Sequence, residues 1–247
     1  VDFWLYADSI CSNYRSNNED YYRCIYLEER QAYLLCLADG MGGESGGEVA
    51  GQLAIDSLAA YLVPQLVLNV SSRQDKACLL AAFNAANTAV YKEACHQPAL
   101  QNMGSTLIVA LVSKDGQTQI ANIGDSRAYH WHENKLIKIS DDHNYASQLL
   151  RAGEISQAAY EIHPGRHMLT KAIGCAAYVT PDFFSVKLTG SDKLLLCSDG
   201  IHGYLSEKQI ANVLNQAMTA EASTRSLMQL AKTKSQDNAT VICLAVG

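Results

Sequence analysis

No Cys-x-x-Cys pair occurs among the eight cysteines of this 247-residue chain, and several of them lie inside apolar runs. That is the setting of reduced core thiols, not of a disulfide framework or a zinc ribbon. No apolar run is expected to reach the ~18 residues that cross a bilayer, and no basic segment followed by an apolar one opens the sequence. The expectation is a cytoplasmic protein without a membrane partner. Clustered Lys and Arg are also missing, and the formal net charge is -6, which argues against nucleic acid as a partner. Charged residues make up 18% and hydrophobic ones 48%, so the chain lacks the polar composition of disorder and can bury a full core. Neither a repeat nor a low-complexity linker divides it, and one domain over residues 1–247 is expected.

What is present centres on Leu34 to Gly47, an apolar run that delivers Asp39 into Gly40-Met41-Gly42-Gly43. A glycine-rich turn can cradle a phosphate on backbone N–H groups. Here the third glycine of a dinucleotide fingerprint is replaced by Ser45, no Walker lysine follows, and Asp39 would face the pyrophosphate. A metal site is the better reading. Two further apolar runs end in the same way: Lys193 to Gly200 presents Asp199, and Ser235 to Val246 presents Asp237 and Asn238. Asp125, in the turn Ile123-Gly124-Asp125-Ser126-Arg127, is a fourth candidate. One aspartate at a strand end is usually a turn former, but several in this context can converge at one rim of a sheet.

Period-2 runs predict a strand at 2–9, a hairpin from Tyr21–Glu28 and Gln31–Ala38, and a meander from 105–112, 119–123, 128–132 and 135–139. The hairpin would bring Glu19 and Asp20 to the end where Asp39 leaves the returning strand. Period-3.6 patterns predict helices from Gly46 to Pro64 and over 72–96. Residues 144–172 read as a short helix and an irregular polar flap carrying His163 and His167, with His143 just before it. A hairpin of 181–188 and 193–198, helices at 206–218 and 220–232, and a last strand at 240–246 complete the chain. Strands in two groups, each followed by a helix pair, imply an α+β fold of two stacked antiparallel sheets covered by helices.

Taken in order, Arg15-Ser16-Asn17-Asn18-Glu19-Asp20, Asp39-Gly40-Met41-Gly42-Gly43, Gly124-Asp125-Ser126-Arg127, Ser198-Asp199-Gly200 and Asp237-Asn238 resemble the PPM/PP2C family of metal-dependent protein serine/threonine phosphatases, bacterial stand-alone type. The resemblance runs from about Arg15 to the C-terminus. It implies an αββα sandwich with a two-metal site at one edge of the sheets. Carried over, Asp39 would bridge both ions, Asp199 and Asp237 would complete the first, and Glu19 with the Gly40 carbonyl would hold the second. Asp20 would stand behind them and bind water, Asp125 with Asp199 would form a third-metal site, Arg15 would bind the substrate phosphate, and Asn238 would orient its neighbours. A phosphoprotein substrate, a cognate Ser/Thr kinase and a monomeric enzyme are the implied partners and state. Met41 stands where animal members carry a histidine proposed as general acid, so the leaving group would take its proton elsewhere.

The chemistry suits these residue types. Two divalent ions ~3.5–4 Å apart neutralise a phosphomonoester and activate water for in-line attack. All-oxygen ligands favour Mn²⁺ or Mg²⁺ over zinc, and a guanidinium takes two phosphoryl oxygens at once. A rival lies in Cys24-x5-Arg30, the spacing of cysteine-dependent phosphatases, although its intervening residues include two acids and no glycine. His130 and His132 fall on one face of a strand and read as structural. An inactive phosphoprotein-binding scaffold and a hydrolase of small phosphoesters are the alternative functions.

Overall fold

A computed structural model describes residues 2–68 and 74–247. One sheet contains β1 (Phe3–Ile10), β7 (Arg127–His132), β8 (Lys135–Lys138), β10 (Lys193–Cys197) and β11 (Ala239–Val246), in the order β1-β11-β10-β7-β8. The other contains β2 (Asp20–Leu27), β3 (Ala32–Met41), β5 (Leu107–Ser113), β6 (Gln117–Ile123) and β9 (Asp182–Lys187), in the order β2-β3-β5-β6-β9, and the short β4 (Gly104–Ser105) pairs with the end of β3. All pairings are antiparallel. Helices α1 (Gly43–Leu68) and α2 (Asp75–His96) cover the second sheet, while α5 (Asp199–His202), α6 (Glu207–Gln216) and α7 (Ala220–Lys234) lie against the first. Helices α3 (Tyr145–Arg151) and α4 (Gln157–Ile162) belong to the flap.

The layers follow from period-2 alternation in strands that are apolar on both faces. On β3, Leu34, Cys36 and Ala38 pack with α1 and α2, whereas Leu35 and Leu37 enter the core between the sheets. On β11, Val241, Cys243 and Ala245 face α7, and Ile242 and Leu244 meet the opposite sheet. Cys36, Cys197 and Cys243 act as small core hydrophobes, while Cys11, Cys95 and Cys175 are exposed, and all eight are free thiols. The expected αββα sandwich is present.

Several local expectations are corrected. The stretch 105–139 is not one meander, because β5 and β6 pair in one sheet and β7 and β8 in the other, with Gly124–Ser126 crossing between them. Likewise β9 and β10 do not form a hairpin: β9 is an edge strand on β6, whereas the fully buried β10 lies between β7 and β11. Helix α1 continues through Pro64 to Leu68. The lost N–H bond and ring clash cost about 3 kcal/mol in isolation, and burial of Leu58, Leu62 and Leu66 on either side of the proline offsets it. The same helix, from Gly46 to Leu68, is long and apolar enough to cross a membrane by length and composition, contrary to expectation. Its residues Ala50, Ala54, Ile55, Leu58 and Leu62 are buried in the core beneath the second sheet. The second helix is described from Asp75 onward; its expected start at residues 72–73 lies outside the described residues.

Helix starts obey capping chemistry. The Asn144 side chain accepts the Ser147 N–H, Thr219 accepts that of Ala222, and Ser206 with Gln209 forms a capping box.

Candidate active site

The β2–β3 register sets Asp20 opposite Asp39, as expected of the hairpin. The end of β10 and the start of β11 come to the same rim, since Cys197 pairs with both Val241 and Arg127. Arg15, Glu19, Asp39, Gly40, Met41, Asp125, Asp199, Asp237 and Asn238 therefore line one cleft of about 600 Å³, joined by Thr106, His167 and Leu169. Asp20 lies behind it, 7% exposed.

Asp20 joins the two sheets. Its Oδ2 accepts hydrogen bonds from Ser198 Oγ and Thr240 Oγ1, each at 2.7 Å. Ser198 Oγ in turn accepts the Thr240 N–H at 3.0 Å. Asp20 Oδ1 is buried with no partner among the described residues, a state that is costly unless water or a cation satisfies it. Asp39 is held at its backbone: its N–H donates to Thr106 Oγ1 at 2.9 Å and its carbonyl accepts the Thr106 N–H at 2.8 Å. Thr106 Oγ1 also shares a 2.8 Å bond with Ser126 Oγ, which ties Asp39 to the crossing that carries Asp125. That crossing needs a glycine, because Gly124 has φ +98° and an added Cβ would lie 2.6 Å from the Thr106 side chain. Gly40 is required by close approach, since a Cβ there would lie 1.9 Å from the Gly47 carbonyl oxygen.

Arg15 Nη2 donates to Asp237 Oδ2 at 2.5 Å, and its Nη1 stands 3.9 Å from Glu19 Oε2. Asn238 fastens the loop bearing both residues, accepting the Ser12 N–H at 3.2 Å and donating to the Asn17 carbonyl at 3.0 Å.

Electrostatically the cleft carries an excess of carboxylate. Burial, then repulsion from Asp20, Asp199, Asp125 and Asp237, pushes the Asp39 carboxyl well above its usual range. Burial and Asp199 do the same to Asp125, and burial and Asp237 raise Asp199. Burial lifts Asp20 to about 7 against the opposing hydroxyl bonds of Thr240 and Ser198. An orphaned carboxylate oxygen and mutually repelling buried acids, all with oxygen donors, fit hard divalent cations.

A pH dependence follows. Each raised carboxyl still holds its proton in the folded, metal-free protein at a pH where the unfolded chain has released it. The folded state then binds more protons, so stability is greatest below the ordinary carboxylate range and falls as pH rises. For Asp20 the window runs from about pH 4 to about pH 7. Buried His143 and His202, held below the usual imidazole range by burial, act in the opposite sense over the same window, so the comparison is with Asp39→Asn. Urea unfolding in EDTA is expected to show wild type losing ground to that variant between about pH 5 and about pH 7.5, and Mn²⁺ to restore wild type. A difference between the two that does not change with pH would contradict this account.

The remaining candidates separate clearly. Cys24 sits within β2, its side chain packs in the core between the sheets, and burial pushes its thiol up to about 12. Arg30 is committed to Asp75 through bonds of 2.7 and 3.1 Å, so the Cys-x5-Arg pair forms no phosphate loop. Of the flap histidines, His143 is buried: its Nδ1 accepts the Gly124 N–H at 3.1 Å, leaving Nε2 to donate to Asp182 at 3.0 Å. His163 accepts the Gly165 N–H, and only His167 among the three lines the cleft.

Ser198, Thr240, Thr106 and Ser126 were not anticipated. Ser126 and Ser198 lie inside identified motifs and Thr240 two residues beyond one, a weak signal because such residues are ordinary turn formers, and Thr106 has no motif beside it. A second cavity of about 890 Å³ lies under the flap, lined by Arg127, Asp142, Tyr160 and His202 among others. Arg127 there donates to both Asp142 oxygens, at 3.0 and 2.6 Å, and to Tyr129 and Tyr160 Oη at 2.9 and 3.1 Å.

Comparison with known proteins agrees with this geometry. The model of the family described as protein phosphatase 2C matches residues 11–238. The serine/threonine phosphatase stp of Listeria welshimeri is 33% identical over 200 residues, covering 81% of this chain and 78% of that protein. The crystal structure of serine/threonine phosphatase Stp1 from Staphylococcus aureus superposes with a TM-score of 0.90 at 31% identity, covering 100% of this chain and 96% of that one. The catalytic domain of serine threonine protein phosphatase PstP, solved in complex with two manganese ions, gives 0.83 at 30% identity, covering 98% and 97%. With its sequence and its fold both matching, the chain belongs to the protein phosphatase 2C family.

Proposed function

We propose that this protein is a metal-dependent phosphatase that hydrolyses phosphoserine and phosphothreonine in proteins. The observation that carries the reading is the convergence of Glu19, Asp39, Asp125, Asp199 and Asp237, from five separate segments, on one cleft that also receives Arg15. Asp39, Asp199 and Asp237 would hold one ion, Asp39, Glu19 and the Gly40 carbonyl a second, and Asp125 with Asp199 a third. Mn²⁺ or Mg²⁺ bound there supplies charge neutralisation and Lewis acidity toward water and the phosphoryl oxygens. Arg15, half-exposed at the cleft, turns its guanidinium from Asp237 and Glu19 toward a phosphoryl group once the carboxylates are neutralised. Asp20 Oδ1, which has no partner among the described residues, accepts a proton from water in the site. Asn238 keeps the Arg15–Glu19 loop in register with Asp237. Met41 cannot protonate a departing alkoxide, so that proton comes from solvent or from another group at the cleft.

In this reading residues 1–247 form one catalytic unit, and the enzyme is a cytoplasmic monomer that opposes a cognate Ser/Thr kinase. The family membership and the burial of the apolar face of α1 support it. Light scattering after gel filtration tests the monomer.

The test is hydrolysis of a phosphothreonine peptide and of p-nitrophenyl phosphate with Mn²⁺, Mg²⁺ or EDTA. Activity is expected with either metal, none in EDTA, and full activity in Cys24→Ser. EDTA-resistant turnover that disappears in Cys24→Ser would overturn the reading, and preference for the small ester over the peptide would point to a small-phosphoester hydrolase.

A further inference from the structure

At the end of the first sheet away from the cleft, two histidines on β7 meet an aspartate from the β9–β10 connection. His130 Nε2 lies 2.9 Å from Asp192 Oδ2, and His132 Nδ1 lies 2.7 Å from Asp192 Oδ1. One ligand atom from each of the three residues falls within 4.8 Å of the other two. The spacing i, i+2 places both imidazoles on one face of the strand, their ring centroids 5.2 Å apart. Seven residues of largely extended chain separate Asp192 from Asp199, roughly 20 Å at the rise of a strand.

We propose that His130, His132 and Asp192 form a separate binding site for a zinc-class divalent cation. Two nitrogen donors and one oxygen match the borderline-soft metals, whereas the all-oxygen cleft matches Mg²⁺ and Mn²⁺. Bonds of ~2.0–2.1 Å in a tetrahedral site would hold ligand atoms about 3.3 Å apart. The contacts of 2.9 and 2.7 Å fall on different oxygens of Asp192, so an ion held by one of them needs that contact to open by about half an ångström and the other imidazole to shift toward the same oxygen. His132 can make that adjustment, because its side chain is 38% exposed while those of His130 and Asp192 are buried. The exposed side leaves a fourth position for water.

Supporting groups surround the ligands in the manner of metal sites. The Thr189 N–H donates to Asp192 Oδ2 at 2.9 Å and fixes the carboxylate. Glu133 Oε1 stands 3.8 Å from His132 Nε2, the ring nitrogen that faces away from Asp192. An ion here would clip the β9–β10 connection to β7 and stabilise the sheet without touching the catalytic carboxylates.

The experiment is calorimetric titration of the full chain with Zn²⁺ in a large excess of Mg²⁺, which occupies the carboxylate cleft, alongside thermal melts. Wild type and Asp39→Asn are expected to bind one Zn²⁺ per chain and to melt higher with it. His132→Ala is expected to bind about a hundredfold more weakly and to gain no thermal stability. Because His132 is partly exposed, the variant should keep its Mn²⁺-dependent phosphatase activity, which certifies that it is folded. Zinc binding that is absent from wild type, unchanged in His132→Ala, or lost in Asp39→Asn would each overturn the assignment.

Discussion

Asp39→Asn is expected to lower turnover of a phosphothreonine peptide by about three orders of magnitude in saturating Mn²⁺. The variant replaces a carboxylate by an amide of the same shape, so the backbone pair with Thr106 and the β2–β3 register are undisturbed. What is lost is one negative charge at the centre of the cleft, where Asp39 stands among Asp20, Asp125, Asp199 and Asp237. In the proposed arrangement Asp39 is shared by two cations, so a ligand carrying less charge would weaken both, and several kcal/mol of transition-state stabilisation corresponds to about a thousandfold in rate. Stability should move the other way. In EDTA the variant is expected to melt no lower than wild type, because an acid raised well above its usual range by burial and repulsion has been made neutral. Addition of Mn²⁺ should stabilise it less than wild type. Kinetics within about tenfold of wild type, or a large destabilisation in EDTA, would contradict this account of the cleft.

Arg127→Met is expected to cost about 3 kcal/mol of stability, near the lower end for breaking a buried ion pair. Asp142 would lose its three guanidinium bonds while 0% exposed at the side chain, keeping among the described residues Lys138 Nζ at 2.7 Å and the Tyr160 hydroxyl at 2.5 Å. For a chain of this size the loss corresponds to a melting point roughly 6–12 °C lower. Tyr160 belongs to α4, so the same change loosens the flap from β7 and should raise KM for a peptide more than for p-nitrophenyl phosphate. The double variant Arg127→Met with Asp142→Leu is expected to recover none of that stability, because it also removes the 2.7 Å partner of the Lys138 ammonium, itself only 27% exposed. A single variant as stable as wild type would show that the pair is not the anchor described.

Much of the site was legible because it is written in local chemistry. Asp39, Asp199 and Asp237 each follow or precede an apolar strand beside turn residues, and that pattern needs no tertiary information. The β2–β3 hairpin placed Glu19 and Asp20 beside Asp39 for the same reason, since a short turn fixes which ends meet. Helix starts were readable from Asn144, Ser206 and Thr219, whose side chains satisfy orphan N–H groups within three residues.

Sheet membership was not legible. β5 and β10 are both short runs buried on both faces, and period-2 alternation is the same whichever sheet receives the strand. The crossing at Gly124–Ser126 therefore read as one more hairpin turn, and β9 and β10 as a pair.

The sequence by itself determined most of the helix and strand segments, the two apolar faces of the central strands, and the candidate oxygen ligands with their order along the chain. Only the tertiary structure decided that Ser198 and Thr240 of one sheet grip Asp20 of the other, that Arg127 anchors the flap through Asp142, and that His130 and His132 meet Asp192. Those contacts join residues up to 220 positions apart. A short-range pattern constrains only neighbours within a turn or a strand, whereas distant pairs are selected by how whole layers bury their apolar faces against one another.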